Sequence, residues 1–154
     1  MKARAMIIAM VVCFAAALCF AAEDSWIGTW KLNEAKSKIG PGAPKNTKVV
    51  YETAGDSVKV TVEGTDSEGK STHNEWTGKF DGKEYAVTGD ANSDMRSYKR
   101  VNDRTLTFAN TKGGKITLSG RIVLSADGKS RTVTATGTDA QGKKVTSTAV
   151  YDKE

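Results

Sequence analysis

Few residues in this chain can do chemistry. His73 is the one histidine, set in the run "GKSTHNEW", and acyl transfer would need it paired with a nucleophile and oriented by an acid. Asn74 and Glu75 follow it directly, but adjacency along the chain does not supply the geometry of a triad. A surface or rim histidine is the expectation. Both cysteines, Cys13 and Cys19, sit in the first nineteen residues. Zinc and haem sites draw on histidine and cysteine, so a single histidine argues against either. Glu23-Asp24 and the run from Asp90 to Asp94 could hold calcium only loosely, since neither spacing fits a known loop. The chain therefore reads as a non-enzyme, with no catalytic residue, no metal and no cofactor.

Binding is the chemistry that remains, and aromatic residues would carry it. Trp76, Phe80, Tyr85, Leu118 and Tyr151 lie beside small residues (Gly78, Gly89, Gly120, Ala135, Gly137, Ser147 and Ala149) on what reads as the inner face of a sheet. Small residues beside large rings leave an apolar cavity with a few polar handles, the usual make-up of a small-molecule site. Glycines equally mark the bulges and corners that a closed sheet needs in order to bend, and both readings stand. Met95 and Tyr98 fall in "TGDANSDMRSYKR", the least strand-like piece of the second half, and would meet a ligand from a loop over the mouth.

The elements that must position these residues start after a leader. "MKARAMIIAMVVCFAAALCFAA" has a basic start, an apolar middle and a small-residue end, the pattern of a cleaved secretory signal peptide over residues 1–22. Its removal takes both cysteines, leaves no integral membrane segment, and places the domain at residues 23–154 in an exported, periplasmic setting without disulfides. The leader holds two of the 23 basic residues and none of the 18 acidic ones, so the domain carries a net charge of +3 (21 against 18). That charge is dispersed, which sets nucleic acid aside as a partner. A monomer is expected.

Within the domain, period-two alternation recurs. Val58, Val60 and Val62 share one face, Leu106 and Phe108 another. Ile116, Leu118, Gly120, Ile122 and Leu124 form a third row, and Val145, Ser147, Ala149 and Tyr151 a fourth. Turns rich in glycine, asparagine and aspartate separate the runs, among them "AGDS", "FDGKE", "TKGGKI", "SADGKS" and "DAQGKK". "VTVEGTDSEGK" (60–70) and "VTATGTDAQGK" (133–143) repeat the same turn chemistry. Hairpin-linked strands of this kind, about eight to ten in all, predict a single antiparallel up-and-down β-barrel, because closure removes exposed edges. One short helical turn is expected within residues 33–42, stopped by Gly40-Pro41.

Trp26, Gly28, Trp30 and Leu32 share the inner side of the first strand, so the tryptophans would cork one end of the barrel. Gly28-x-Trp30 at the head of a secreted all-β chain resembles the calycin superfamily, and above all the lipocalins. The hairpin pattern is also similar to the fatty-acid-binding branch, and "GTWKLNEAKSK" with the "AVYDK" ending resembles bacterial secreted lipocalin-like proteins. The resemblance implies a barrel that holds a small hydrophobic or amphipathic ligand. It also implies an arginine from a late strand stacked on Trp30, for which Arg121 is the first candidate, with Arg131 and Arg100 behind it. The alternative function is an envelope protein-binding or inhibitor barrel that uses rim loops around a filled core.

Overall fold

The computed structural model describes residues 24–138 and 142–154; the leader and part of the "DAQGKK" turn lie outside the described residues. Ten strands run in chain order: β1 (Gly28–Leu32), β2 (Lys45–Ala54), β3 (Ser57–Thr65), β4 (Ser71–Gly78), β5 (Asp81–Thr88), β6 (Met95–Asn102), β7 (Thr105–Lys112), β8 (Lys115–Leu124), β9 (Ser130–Thr138) and β10 (Lys144–Lys153). Each pairs antiparallel with its neighbour in sequence, and β1 against β10 closes the ring, with Trp30 opposite Lys153 and Leu32 opposite Tyr151. The result is an up-and-down barrel of ten strands with, among the described residues, a single 3-10 turn at Glu34–Lys36. No helix among the described residues is long and apolar enough to cross a membrane.

Glycine supplies the positive φ that two-residue hairpins demand: Gly55 stands at +64° between β2 and β3. The described parts of the two echoing stretches lead out of β3 and β9 at the same end of the barrel.

The barrel has one thin place. β4 and β5 are joined by only two residue pairs, Glu75 with Thr88 and Trp76 with Val87. A shifted register between β5 and β6 at Asp81 and Glu84 lies next to it. Trp76 bridges the thin place by reaching across to donate its indole N–H to the Arg96 carbonyl at 2.9 Å.

The opening tryptophans are both fully buried, as an inward cork requires. Trp26, however, is not on the strand. Gly28 has φ +131°, and this swings the preceding residues off the strand axis into a turn beneath the barrel. The Trp30 indole then donates to the Trp26 carbonyl at 3.1 Å. Arg100 holds this turn from below, with its guanidinium 2.6 Å from the Asp24 carboxylate and 5.5 Å from the centre of the Phe80 ring.

At the other end β1 is half the length of its neighbours. The chain from Asn33 to Ala43 finishes that part of the wall. The Asn33 side chain caps the 3-10 turn by accepting from the Lys36 N–H, and it donates to Asp152 at 2.7 Å. Lys38 bridges to Thr148, and Gly40 donates to the Ser147 hydroxyl at 2.9 Å. One turn of helix thus replaces the longer one that residues 33–42 would allow, because these backbone groups are taken by β10.

Candidate functional site

Strand alternation brings most of the expected wall residues together, and it packs them solid. Trp76 stacks on Phe80 with ring centres 6.5 Å apart and the planes 10° from parallel. Tyr98 meets the Trp76 ring edge-on at 4.8 Å, and Tyr85 meets it at 5.8 Å. Tyr51, Trp26 and Phe108 complete the cluster. The small residues do not open space beside these rings. A β-carbon on Gly78 would lie 2.6 Å from atoms of both Trp76 and Tyr85. On Gly120 it would collide with the Thr134 carbonyl and with the Phe108 ring. These glycines are close approaches and corners of a bending sheet, not the lining of a void.

Met95 and Tyr98 do not act together. Residues 95–102 are strand, not loop, and an odd separation puts the two on opposite faces. Tyr98 points in and Met95 does not. Only residues 89–94 form the connection. Its carboxylates already have partners: Asp90 receives the Asn92 N–H, the Ser93 hydroxyl and the Arg96 guanidinium, and Asp94 receives the Gly113 N–H.

The stacked arginine is Arg131, not Arg121. The inner row of β8 runs through Leu118, Gly120, Ile122 and Leu124, so Arg121 is on the outer face, where it is exposed. Arg131 begins the inner row of β9 and is 2% exposed. Its guanidinium carbon lies 4.9 Å from the Trp30 ring centre, 4.8 Å from Tyr51 and 4.9 Å from Tyr151. Three π faces surround the cation, while Nε and Nη1 have no hydrogen-bond partner. Burial in this box pushes the Tyr151 phenol up to about 12, against a partial lowering by the Arg131 charge. Burial likewise raises the Tyr98 phenol well above the tyrosine range, and Tyr51 beside it adds to the rise.

A second buried arginine is bound in the opposite way. Arg96, at the upper end of the aromatic cluster, donates to Asn110 at 3.0 Å and to Asn74 at 3.1 Å, and it pairs with Asp90 at 3.3 Å. This network went unforeseen, since "SDMRSYKR" gives no sign of which arginine turns inward until the strand is located. His73 is exposed, 3.4 Å from Glu75, which Lys59 also approaches at 3.2 Å. That contact holds the Glu75 carboxyl below the usual range, with Lys59 as the main cause.

Open space lies at the mouth. A hollow of about 370 Å³ is lined by Leu32, Glu34, Ser37, Ile39, Ala43 and Lys45, under the segment that bridges β1 to β2. Leu32, Ile39 and Ala43 supply apolar wall. Ser37 and the Lys45–Glu34 ion pair at 3.2 Å supply polar handles. A second hollow of about 190 Å³ lies beside Ile116 and Lys144. None of the seven expected ligand residues lines either hollow. Leu118 is half-buried near the start of β8, and the Tyr151 hydroxyl donates to the Asn46 carbonyl at 3.0 Å. The sequence hid this place because its walls come from a short strand and the loop after it.

No protein-family model and no curated protein matches the chain. Among solved structures, EF1p2_mFAP2b bound to DFHBI is similar at 11% identity and TM-score 0.50, covering 84% of this chain and 94% of that one. A redesigned β-barrel, mFAP1, also bound to DFHBI, is similar at 15% identity and TM-score 0.46, covering 84% and 95%. Lobster apocrustacyanin A1 follows at 10% identity and TM-score 0.40, covering 86% and 63%. At such identities the likeness is one of fold, a closed antiparallel up-and-down β-barrel.

Proposed function

We propose that this protein is a non-catalytic exported barrel that holds a small amphipathic molecule at its mouth. The observation that carries the reading is the hollow of about 370 Å³ under the Asn33–Ala43 segment. It falls within the range of roughly 300–1,000 Å³ in which small-molecule sites occur. The aromatic cluster fills the lower barrel, so the ligand seat is shallow, with its apolar part on Leu32, Ile39 and Ala43 and its polar part toward Ser37, Glu34 and Lys45. A barrel of the same fold, EF1p2_mFAP2b, is bound to DFHBI, and this supports the reading at the level of fold.

The test is to purify the protein from its host, extract it with organic solvent for mass spectrometry, and displace a fluorescent fatty acid. Ala43→Trp fills the hollow and should weaken displacement at least about tenfold, or 1.4 kcal/mol. A protein that yields no extractable molecule and releases no probe overturns the proposal. Export is tested separately by N-terminal sequencing of the recovered protein, which should begin near Ala22 or Glu23; an intact leader would refute it.

The filled interior favours a second reading, an envelope inhibitor or protein-binding barrel that works through its rim loops. Under that reading, affinity capture from envelope extracts recovers a specific lysozyme or protease, and Ala43→Trp leaves the capture unchanged.

A further inference from the structure

The mouth hollow has an apolar wall and carries charge at one place. Glu34, in the 3-10 turn, and Lys45, the first residue of β2, are the charged side chains that line it. They meet at 3.2 Å, Nζ to Oε2. Among the described residues neither has a second ion pair. The two side chains are 67% and 39% exposed, so the other Glu34 oxygen and the remaining Lys45 N–H bonds are open to a ligand. Ser37 offers less. Its hydroxyl donates to the Asn33 carbonyl at 2.7 Å and accepts the Val150 N–H at 2.9 Å. Recognition of a ligand's head group therefore falls to the ion pair.

Two opposite charges in contact select a ligand by how its own charges are arranged. A lone carboxylate drawn to Lys45 also approaches Glu34, and attraction and repulsion nearly cancel. A lone ammonium drawn to Glu34 meets Lys45 in the same way. A head group that carries both charges close together lies antiparallel to the pair and gains two attractions. An α-amino acid holds its ammonium and carboxylate on one carbon, a separation close to the contact between Glu34 and Lys45. A head group with its charges farther apart, such as phosphocholine, would match one side of the pair only. The wall of Leu32, Ile39 and Ala43 then asks for an apolar side chain.

We propose that the mouth binds apolar α-amino acids, with the ammonium on Glu34, the carboxylate on Lys45 and the side chain against Leu32, Ile39 and Ala43. The proposal rests on the mouth being the ligand site and names the class of ligand it takes. Both charged residues are partly in water, so each charge contact changes affinity by about fivefold at most. Selectivity comes from the signs of the two contacts rather than from their strength.

The test is competition for the fluorescent fatty acid, near neutral pH, by 2-aminooctanoic acid, octanoic acid and octylamine. The three share a chain and differ in head group, and each affinity is corrected for the probe's own affinity in that variant. The parent should bind 2-aminooctanoic acid about fivefold more tightly than either singly charged competitor. Glu34→Gln should weaken 2-aminooctanoic acid about fivefold and strengthen octanoic acid by a similar factor. Lys45→Gln should weaken the amino acid likewise and strengthen octylamine. A merely structural role at either position would move all three ligands in one direction, and that result overturns the proposal. Equal competition by the three, or a parent that prefers octanoic acid, overturns it and leaves the mouth as a site for amphiphiles of another class. Competition by none of the three overturns it as well; if Ala43→Trp also leaves probe binding unchanged, the mouth reading falls with it.

Discussion

Arg131 stands over the indole of Trp30 with its guanidinium 4.9 Å from the ring centre, and Tyr51 and Tyr151 close the other sides at the same range. Two of its nitrogens meet no acceptor. Each cation–π contact contributes roughly 0.5–2 kcal/mol, and each buried N–H left unpaired costs about 1–3 kcal/mol. The two effects nearly offset.

Arg131→Met, which keeps the volume and removes both the charge and the unpaired N–H groups, should therefore lie within about 2 kcal/mol of the parent in urea unfolding. Arg131→Ala opens a hole among three rings and should cost about 3–5 kcal/mol. Equal losses in the two variants would show that the charge, not the packing, holds the box.

Arg96 predicts the reverse. It is satisfied by Asn74, Asn110 and Asp90, so Arg96→Met takes the donor from two buried amide oxygens, those of Asn74 and Asn110, and the cation from Asp90, which keeps the Asn92 N–H and the Ser93 hydroxyl. A loss of about 3–5 kcal/mol is expected. Two arginines, each almost fully buried, should respond oppositely to the same substitution, and parallel urea titrations decide it.

Alkaline pH should destabilise the barrel. The Tyr151 phenol titrates near 10 in the unfolded chain and is pushed up to about 12 in the fold. Between those values the unfolded state loses its proton while the folded state keeps it, so stability is intact below pH 10 and falls as pH rises toward 12. One such group contributes at most about 1.4 kcal/mol per pH unit, and Tyr98, raised in the same direction, steepens the fall. Tyr151→Phe should flatten it. Thermal unfolding followed from pH 8 to pH 12 measures both.

Gly120→Ala should cost about 1–3 kcal/mol through overpacking, because the added methyl meets the Thr134 carbonyl and Phe108. If the space at Gly120 were a void, the same change would be neutral or stabilising. Chemical denaturation separates the two.

Asn33→Ala should cost about 1 kcal/mol as a lost cap. Hydrogen exchange should quicken at Lys36 and Lys38, which the Asn33 turn holds in place. The mouth hollow should loosen with it.

The barrel itself was legible because period-two alternation and glycine turns report the path of the backbone directly. The burial of Trp30 followed from its strand partners. Arg131 was legible too, since the β8 row that puts Ile122 inside necessarily puts Arg121 outside; the β9 row through Val133 and Ala135 leads to Arg131. Ile116 broke the same rule and lies exposed, because a shifted register between β7 and β8 depends on pairing that alternation does not display. Glycine was the deeper ambiguity. Gly78 and Gly120 give the same letter whether a neighbour's ring fills the space or nothing does. The mouth was illegible for a related reason: Gly40 and Lys38 are fixed by Ser147 and Thr148, more than a hundred residues away.

In this ring every pairing but one joins strands adjacent in sequence, and the seam between β1 and β10 alone joins the first strand to the last. Hairpins assemble locally and fast, whereas bringing the termini together pays the largest loop-closure entropy in the molecule. Trp30 reaches Arg131 and Lys153 only when that final suture is made. Its indole emission is thus a natural clock for the last act of folding, distinct from Trp76, whose surroundings are built by hairpins formed earlier.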